Sequence, residues 1–101
     1  MIYVFDIDGT ICTNTNGDYE NAKPSMEMIK AINDLYAKGH TIKMMTARGS
    51  TTGIDWTTIT IKQLNKWNLK YHELIMNKKP HADVYVDDKA INAEAFKLLL
   101  G

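Results

Sequence analysis

Four short pieces of this 101-residue chain carry side chains that could do chemistry: Asp6-Ile7-Asp8-Gly9-Thr10, Thr46, Lys79 and Asp87-Asp88. Each sits just after an apolar, strand-like run. A D-x-D triplet alone says little, because such triplets occur in many loops. Together the four supply a carboxylate nucleophile, an acid/base partner, two phosphate-holding groups and an acidic metal site. That is a set of parts for Mg²⁺-dependent phosphoryl transfer, in which positive charge and alignment are the main needs.

The expected roles follow from residue type. Asp6 would attack phosphorus and become an aspartyl phosphate. Asp8 would protonate the leaving oxygen and then deprotonate the water that hydrolyses the intermediate. Both carboxylates face one phosphate only if the backbone coils after Asp6, and Gly9 permits that coil. Mg²⁺ suits oxygen ligands, here Asp6, the Asp8 backbone carbonyl, Asp87 and Asp88, the last directly or through water. Thr46 would offer its hydroxyl and nearby backbone N–H groups to a non-bridging oxygen. Lys79 would neutralise the phosphate and keep Asp6 ionised. Lys78 competes for this role, and Lys79 is preferred because it directly precedes Pro80.

These residues need elements that bring them to one place. Ile2 to Phe5 reads as a strand buried on both faces, and Gly9 to Asn21, with its Asn-Thr-Asn-Gly turn signal, as a loop or small hairpin. Pro24-Ser25 opens a helix whose apolar face holds Met28, Ile29, Ile32, Leu35 and Tyr36, and Gly39 ends it. Thr41 to Met45 is a second strand, and Gly49 to Gly53 a flexible loop. A second helix is expected over Asp55 to Asn68, with Trp56, Ile59, Leu64 and Trp67 facing inward. Thr57, Thr58 and Thr60 make it a poor helix former, so packing must support it. Tyr71 to Met76 and Val84 to Val86 read as further strands, and Ala90 to Leu100 as a last helix. Alternation of this kind implies βαβ units, a parallel sheet and a ligand site beyond the carboxyl ends of the strands.

Composition narrows the classes. The chain is read as one domain over residues 1–101. Its 12 basic and 12 acidic side chains balance, which argues against a nucleic-acid groove, and 45% hydrophobic residues suffice for a core. Cys12 is the lone cysteine, which fits a cytoplasmic location. A small buried filler is the preferred reading of it over a reactive thiol. No signal peptide or membrane-spanning run is seen.

The chain resembles the haloacid dehalogenase superfamily of aspartate-nucleophile phosphohydrolases. Phe5-Asp6-Ile7-Asp8-Gly9-Thr10 is similar to its first motif, Met44-Met45-Thr46 to its second, Lys79-Pro80 to its third and Val84-Tyr85-Val86-Asp87-Asp88 to its fourth. Asp18-Tyr19-Glu20-Asn21-Ala22, Thr46-Ala47-Arg48-Gly49 and Asp87-Asp88-Lys89-Ala90 look like a group of very small hydrolases. Some of these are associated with capsular-polysaccharide biosynthesis and some are carried by bacteriophages. The resemblance implies a minimal Rossmann-like α/β core, a parallel sheet of about four strands in the order 4-1-2-3 with helices on both faces. It also implies catalytic Asp6, Asp8, Thr46 and Lys79, substrate contacts from Gly9, Thr10, Ala47 and Arg48, and Mg²⁺ on Asp6, Asp8, Asp87 and Asp88. The intervals from Asp8 to Thr46 and from Thr46 to Lys79 leave no room for the cap domain of larger members. An open site suits a homo-oligomer that covers it, or modest activity.

The expected substrate is a small phosphorylated metabolite, a sugar phosphate or a nucleotide. Arg48, the only arginine, could clamp a second phosphate or carboxylate, or pair with an acid such as Asp55. Trp56 is read as packing in preference to stacking on substrate, and His40, His72 and His81 as surface or satisfied core residues. A phosphoacceptor receiver domain would place its acidic pair first, and here it comes last. A non-catalytic binding subunit of a larger assembly, and an enzyme passing phosphate between molecules, share the same residues.

Overall fold

In the computed structural model, which describes residues 1–50, 52–76 and 84–86, the opening apolar run forms β1 (Ile2–Asp6). Val4 and Phe5 are adjacent and so point to opposite faces, and both are buried. β1 is therefore covered on both sides, as the absence of a polar alternation in its sequence requires. β2 (Thr41–Thr46) runs parallel to β1, and β3 (Glu73–Met76) runs parallel to β2. These strands make a small open sheet. A three-residue segment, β4 (Val84–Val86), pairs in parallel with the other side of β1, which gives the order β3-β2-β1-β4.

Among the described residues two helices join these strands. α1 (Met26–Ala37) starts where Ser25 Oγ accepts the Met28 N–H at 3.4 Å, and it ends at Lys38 with Gly39 following. Its buried side chains are Met28, Ile29, Ile32 and Leu35, while Tyr36 lies partly buried and stacks on the His72 ring. α2 (Thr57–Lys66) contributes Leu64, and Trp67 follows it. Phe5, Ile42 and Met44 of the sheet share one core cluster with Met28 and Ile32 of α1 and with Leu64.

Three elements differ from the expectation, each for a local reason. α2 begins at Thr57 because the exposed Asp55 carboxylate accepts the Thr57 N–H at 2.9 Å, closing a turn before the helix. β3 begins at Glu73: His72 donates its backbone N–H to the Ile42 carbonyl at 2.8 Å, but its ring, at Nδ1, accepts the Ile42 N–H at 3.0 Å in place of a backbone carbonyl. The segment after Gly9 is a loop that runs on to Lys23, past the expected end at Asn21, and an antiparallel bridge between Cys12 and Pro24 closes it in the manner of a hairpin. It leaves at Thr13, returns at Lys23 through the Thr13 N–H to Lys23 carbonyl bond of 2.9 Å, and carries a 3₁₀ turn at Tyr19–Asn21.

Apart from that turn and α1, no element lies between β1 and β2 among the described residues, and only α2 lies between β2 and β3. No helix among them is long and apolar enough to cross a membrane. Lys78, Lys79, His81, Asp87, Asp88 and the helix expected over Ala90 to Leu100 lie outside the described residues.

Candidate active site

The sheet register builds the site from two strand ends. Asp6 is the last residue of β1 and pairs with Met45, so Thr46, the last residue of β2, sits one step further along the same edge. After Asp6 the chain turns tightly. The N–H groups of Thr10 and Ile11 both reach the Ile7 carbonyl, at 3.2 and 3.0 Å, and the Gly9 N–H reaches the Cys12 carbonyl at 2.9 Å. Gly9 takes φ +85°, a conformation that side chains with a Cβ rarely adopt. The turn brings Asp8 back toward the sheet edge, and its hydrogen bonds run to the carbonyls of Ile7 and Cys12 and not to that of Asp8.

Asp8 is held by Arg48. The guanidinium Nε donates to Asp8 Oδ2 at 2.9 Å and Nη2 to Oδ1 at 2.8 Å, a fork-on-fork pair. The Arg48 side chain is fully enclosed, whereas that of Asp8 is 17% exposed. Nη1 donates to Thr60 Oγ1 at 3.1 Å and to Gln63 Oε1 at 2.6 Å. The Tyr19 ring lies 4.6 Å from the guanidinium carbon, a cation–π contact. Gln63 Nε2 in turn donates to the Tyr19 carbonyl. Burial is the largest single influence on Arg48 and works against its charge. The hydrogen bonds and charge of Asp8 outweigh it, so the guanidinium pKa is raised from its ordinary value. Of the two roles open to Arg48, the ion pair with an acid is the one formed, and the acid is Asp8 in place of Asp55, which bonds to the backbone of its own turn.

A cleft of about 460 Å³ opens at this edge, and Asp6, Asp8, Thr46, Ala47, Arg48 and Tyr19 all contribute to its lining. Thr46 is buried, and its Oγ1 accepts the Arg48 N–H at 3.1 Å. Gly9 is exposed on the turn, and Thr10 is buried with a hydroxyl that has no hydrogen-bond partner among the described residues. Among the described residues no group of three or more His, Cys, Asp or Glu side chains could hold a metal ion. The oxygen donors that the described residues offer here are hard ones, the Asp6 carboxylate and the Asp8 carbonyl, which are the kind that Mg²⁺ takes.

Cys12 is buried beneath Asp8, with Sγ 3.6 Å from Oδ1. Burial, followed by the Asp8 charge, pushes its thiol up to about 12. A thiol so seldom ionised is a poor nucleophile. The folded chain is expected to react with iodoacetate at pH 8 about a thousandfold more slowly than the chain unfolded in denaturant. Mass spectrometry of timed samples reads this directly, and equal rates would contradict it.

The reading of the sequence missed Thr60, Gln63 and Tyr19. A signal was present for the first two. Thr60, Gln63, Leu64 and Trp67 share one helical face, and polar residues on a face otherwise buried ask for a buried polar partner. Thr60 also explains why a helix poor in intrinsic propensity carries threonine here: its hydroxyl serves Arg48. Tyr19 carried no comparable signal, because its ring is placed by a turn.

No family model and no curated protein matches the chain. Solved structures do. A crystal structure of a protein from Vibrio cholerae superposes with a TM-score of 0.74 at 26% identity, covering 96% of this chain and 88% of that one. A chain in the structure of a Pnkp1/Rnl/Hen1 complex superposes with a TM-score of 0.61 at 17% identity. There the match covers 93% of this chain but 32% of the other, and it speaks for the fold alone.

Proposed function

We propose that the chain is a capless phosphomonoester hydrolase of the haloacid dehalogenase type, dependent on Mg²⁺ and acting on a small phosphorylated metabolite. One observation carries the reading. Asp6, Asp8 and Thr46, supplied by a strand end, a tight turn and a second strand end, line one cleft beyond the carboxyl edge of a parallel sheet. That edge is where open α/β sheets bind ligands.

In this reading an Asp6 oxygen attacks phosphorus, the bond from phosphorus to the leaving oxygen breaks, and Asp8, ion-paired with Arg48 at rest, relays to that oxygen a proton taken up from solvent. Water then attacks the aspartyl phosphate, Asp8 takes its proton and passes it to solvent, the bond from phosphorus to Asp6 breaks, and inorganic phosphate departs with Asp6 restored. Each oxygen of Asp8 accepts one bond from Arg48 and keeps a further lone pair for this traffic. Arg48 fixes the direction of Asp8 and does not touch substrate. Thr46 and the backbone at Ala47 hold the phosphate, Gly9 and Thr10 shape the turn that carries Asp8, and Lys79 neutralises the phosphate. Asp6, the Asp8 carbonyl, Asp87 and Asp88 would hold Mg²⁺, which supplies positive charge to the phosphate when bound. The cytoplasm is the proposed location, and the polysaccharide-related small hydrolases the proposed relatives.

A second reading draws on the same ion pair. With both oxygens of Asp8 already engaged, the chain could be a non-catalytic subunit that binds metal and phosphate without turnover. Phosphate release from sugar phosphates, nucleotides and an aryl phosphate, each with Mg²⁺ and with chelator, separates the two. Metal-dependent release is the expected result. Mg²⁺ binding with no release from any substrate would favour the subunit.

A further inference from the structure

Beside the cleft of Asp6 and Asp8 lies a second one of about 250 Å³, and the two share Gly17, Tyr19, Ala47 and Thr52 in their walls. Its own part is formed by Trp56, Ile54 and Ser50. Trp56 meets Tyr19 edge to face, with ring centroids 4.9 Å apart and planes at 85°, so the two rings form a corner rather than a sandwich. Ile54 is an exposed apolar side chain, 55% accessible, at the rim.

Several constraints keep this corner in place. Tyr19 is held from behind by the Arg48 guanidinium and by Gln63. Gly49, at φ +83°, lets the Ile54 carbonyl and the Trp56 ring come close, and a Cβ there would collide with that carbonyl oxygen. An aromatic corner fixed in this way costs little ordering when a ligand arrives.

Charge decides what the corner can take. No charged side chain lines this cleft among the described residues. The only arginine is enclosed and spent on Asp8, Thr60 and Gln63, so it offers nothing to a second phosphate or a carboxylate. What the walls do offer is an aromatic face, an aliphatic rim and the hydroxyl-bearing residue Ser50. Such a mixture suits a neutral ring carrying hydroxyl groups.

We infer that this cleft seats the leaving group of the substrate, and that the leaving group is a neutral, hydroxylated ring, as in a sugar monophosphate or a nucleoside monophosphate. The inference rests on the phosphatase reading for the identity of the neighbouring site. It excludes bisphosphates and sugar acids as preferred substrates, which a free arginine would have favoured.

The experiment has a turnover arm and a binding arm. In the first, kcat/KM is measured for a hexose monophosphate, a nucleoside monophosphate, a hexose bisphosphate and glycerol phosphate, in the parent chain, Trp56→Ala and Trp56→Phe. The parent is expected to prefer at least one ring monophosphate over both the bisphosphate and glycerol phosphate. Trp56→Ala should lower the ratio of ring substrate to glycerol phosphate about tenfold, the effect of losing one stacking contact, and Trp56→Phe should restore most of it. The sugar and nucleoside arms tell which ring is seated. In the second arm, tryptophan fluorescence of Asp6→Asn is titrated with the same monophosphates in the presence of Mg²⁺. Saturable quenching that Trp56→Phe removes places the ring at Trp56 without any turnover.

Quenching without phosphate release from the parent would support the cleft and overturn the hydrolase. Release with no ring preference and no response to Trp56→Ala would overturn the cleft and leave the hydrolase standing. A preference for the bisphosphate would overturn the neutrality of the leaving group.

Discussion

Asp6→Asn is expected to lower phosphate release by about 10³-fold or more while leaving the fold in place. The size of the loss follows from the proposed role of Asp6 as nucleophile. An amide is not a competent nucleophile toward phosphorus, and removing a covalent nucleophile costs far more than removing a binding contact. The mildness toward the fold follows from position. Asp6 ends β1 at the lip of the cleft and is only half-buried, and the amide has the same shape as the carboxyl. A stability change within about 1 kcal/mol is expected. Phosphate release and thermal unfolding, measured on the same preparation, check both halves. Release at near the parent rate would remove Asp6 from the chemistry altogether.

Arg48→Met should do the reverse, harming the fold first. Methionine fills much of the same space but leaves Asp8, Thr60 and Gln63 facing an apolar side chain. Breaking an ion pair by removing one enclosed partner costs about 3–5 kcal/mol. In a chain of this size 1 kcal/mol moves Tm by roughly 4–8 °C, so a fall of more than about 10 °C is expected. Arg48→Lys keeps the charge but loses the fork, and should recover only part of the loss. Asp8→Asn combined with Arg48→Met should be less destabilised than the sum of the single changes, because the double variant leaves no unpaired charge. Simple additivity in Tm or denaturant midpoint would mean that the pair is decorative.

Much of this was legible in the residues. The unbroken apolar run before Asp6 announces a covered parallel strand, the Pro24-Ser25 start and Gly39 stop mark α1, and strand ends in a βαβ pattern bring Asp6 and Thr46 to one edge. These are short-range signals, each carried by a few neighbouring residues. The pairing of Arg48 was not legible in the same way. Asp8 and Arg48 are separated by all of α1 and β2, and nothing local distinguishes Asp8 from Asp55 as the acid for Arg48. The tertiary fold made that choice by turning the chain back at Gly9 and by setting Thr60 and Gln63 on the inward face of α2. The His72 ring that replaces a strand hydrogen bond escaped notice for a similar reason, since a side chain substituting for backbone leaves no periodic trace.

The central place of β1 bears on how quickly the molecule can form. Its register joins Ile2 to Thr41 on one side and Tyr3 to Val84 on the other. Both closures bridge long stretches of chain, and the second spans most of its length, so their entropy must be lost before the contacts repay it. The unit from β1 through α2 already contains Asp8, Arg48, Thr60 and Gln63, and it can lock those groups together before β4 docks. Assembly is then expected to proceed in two tiers, an early one that sets the direction of Asp8 and a late one that docks β4 on the other side of β1. Completion of the proposed site is then expected to be the slowest step of folding.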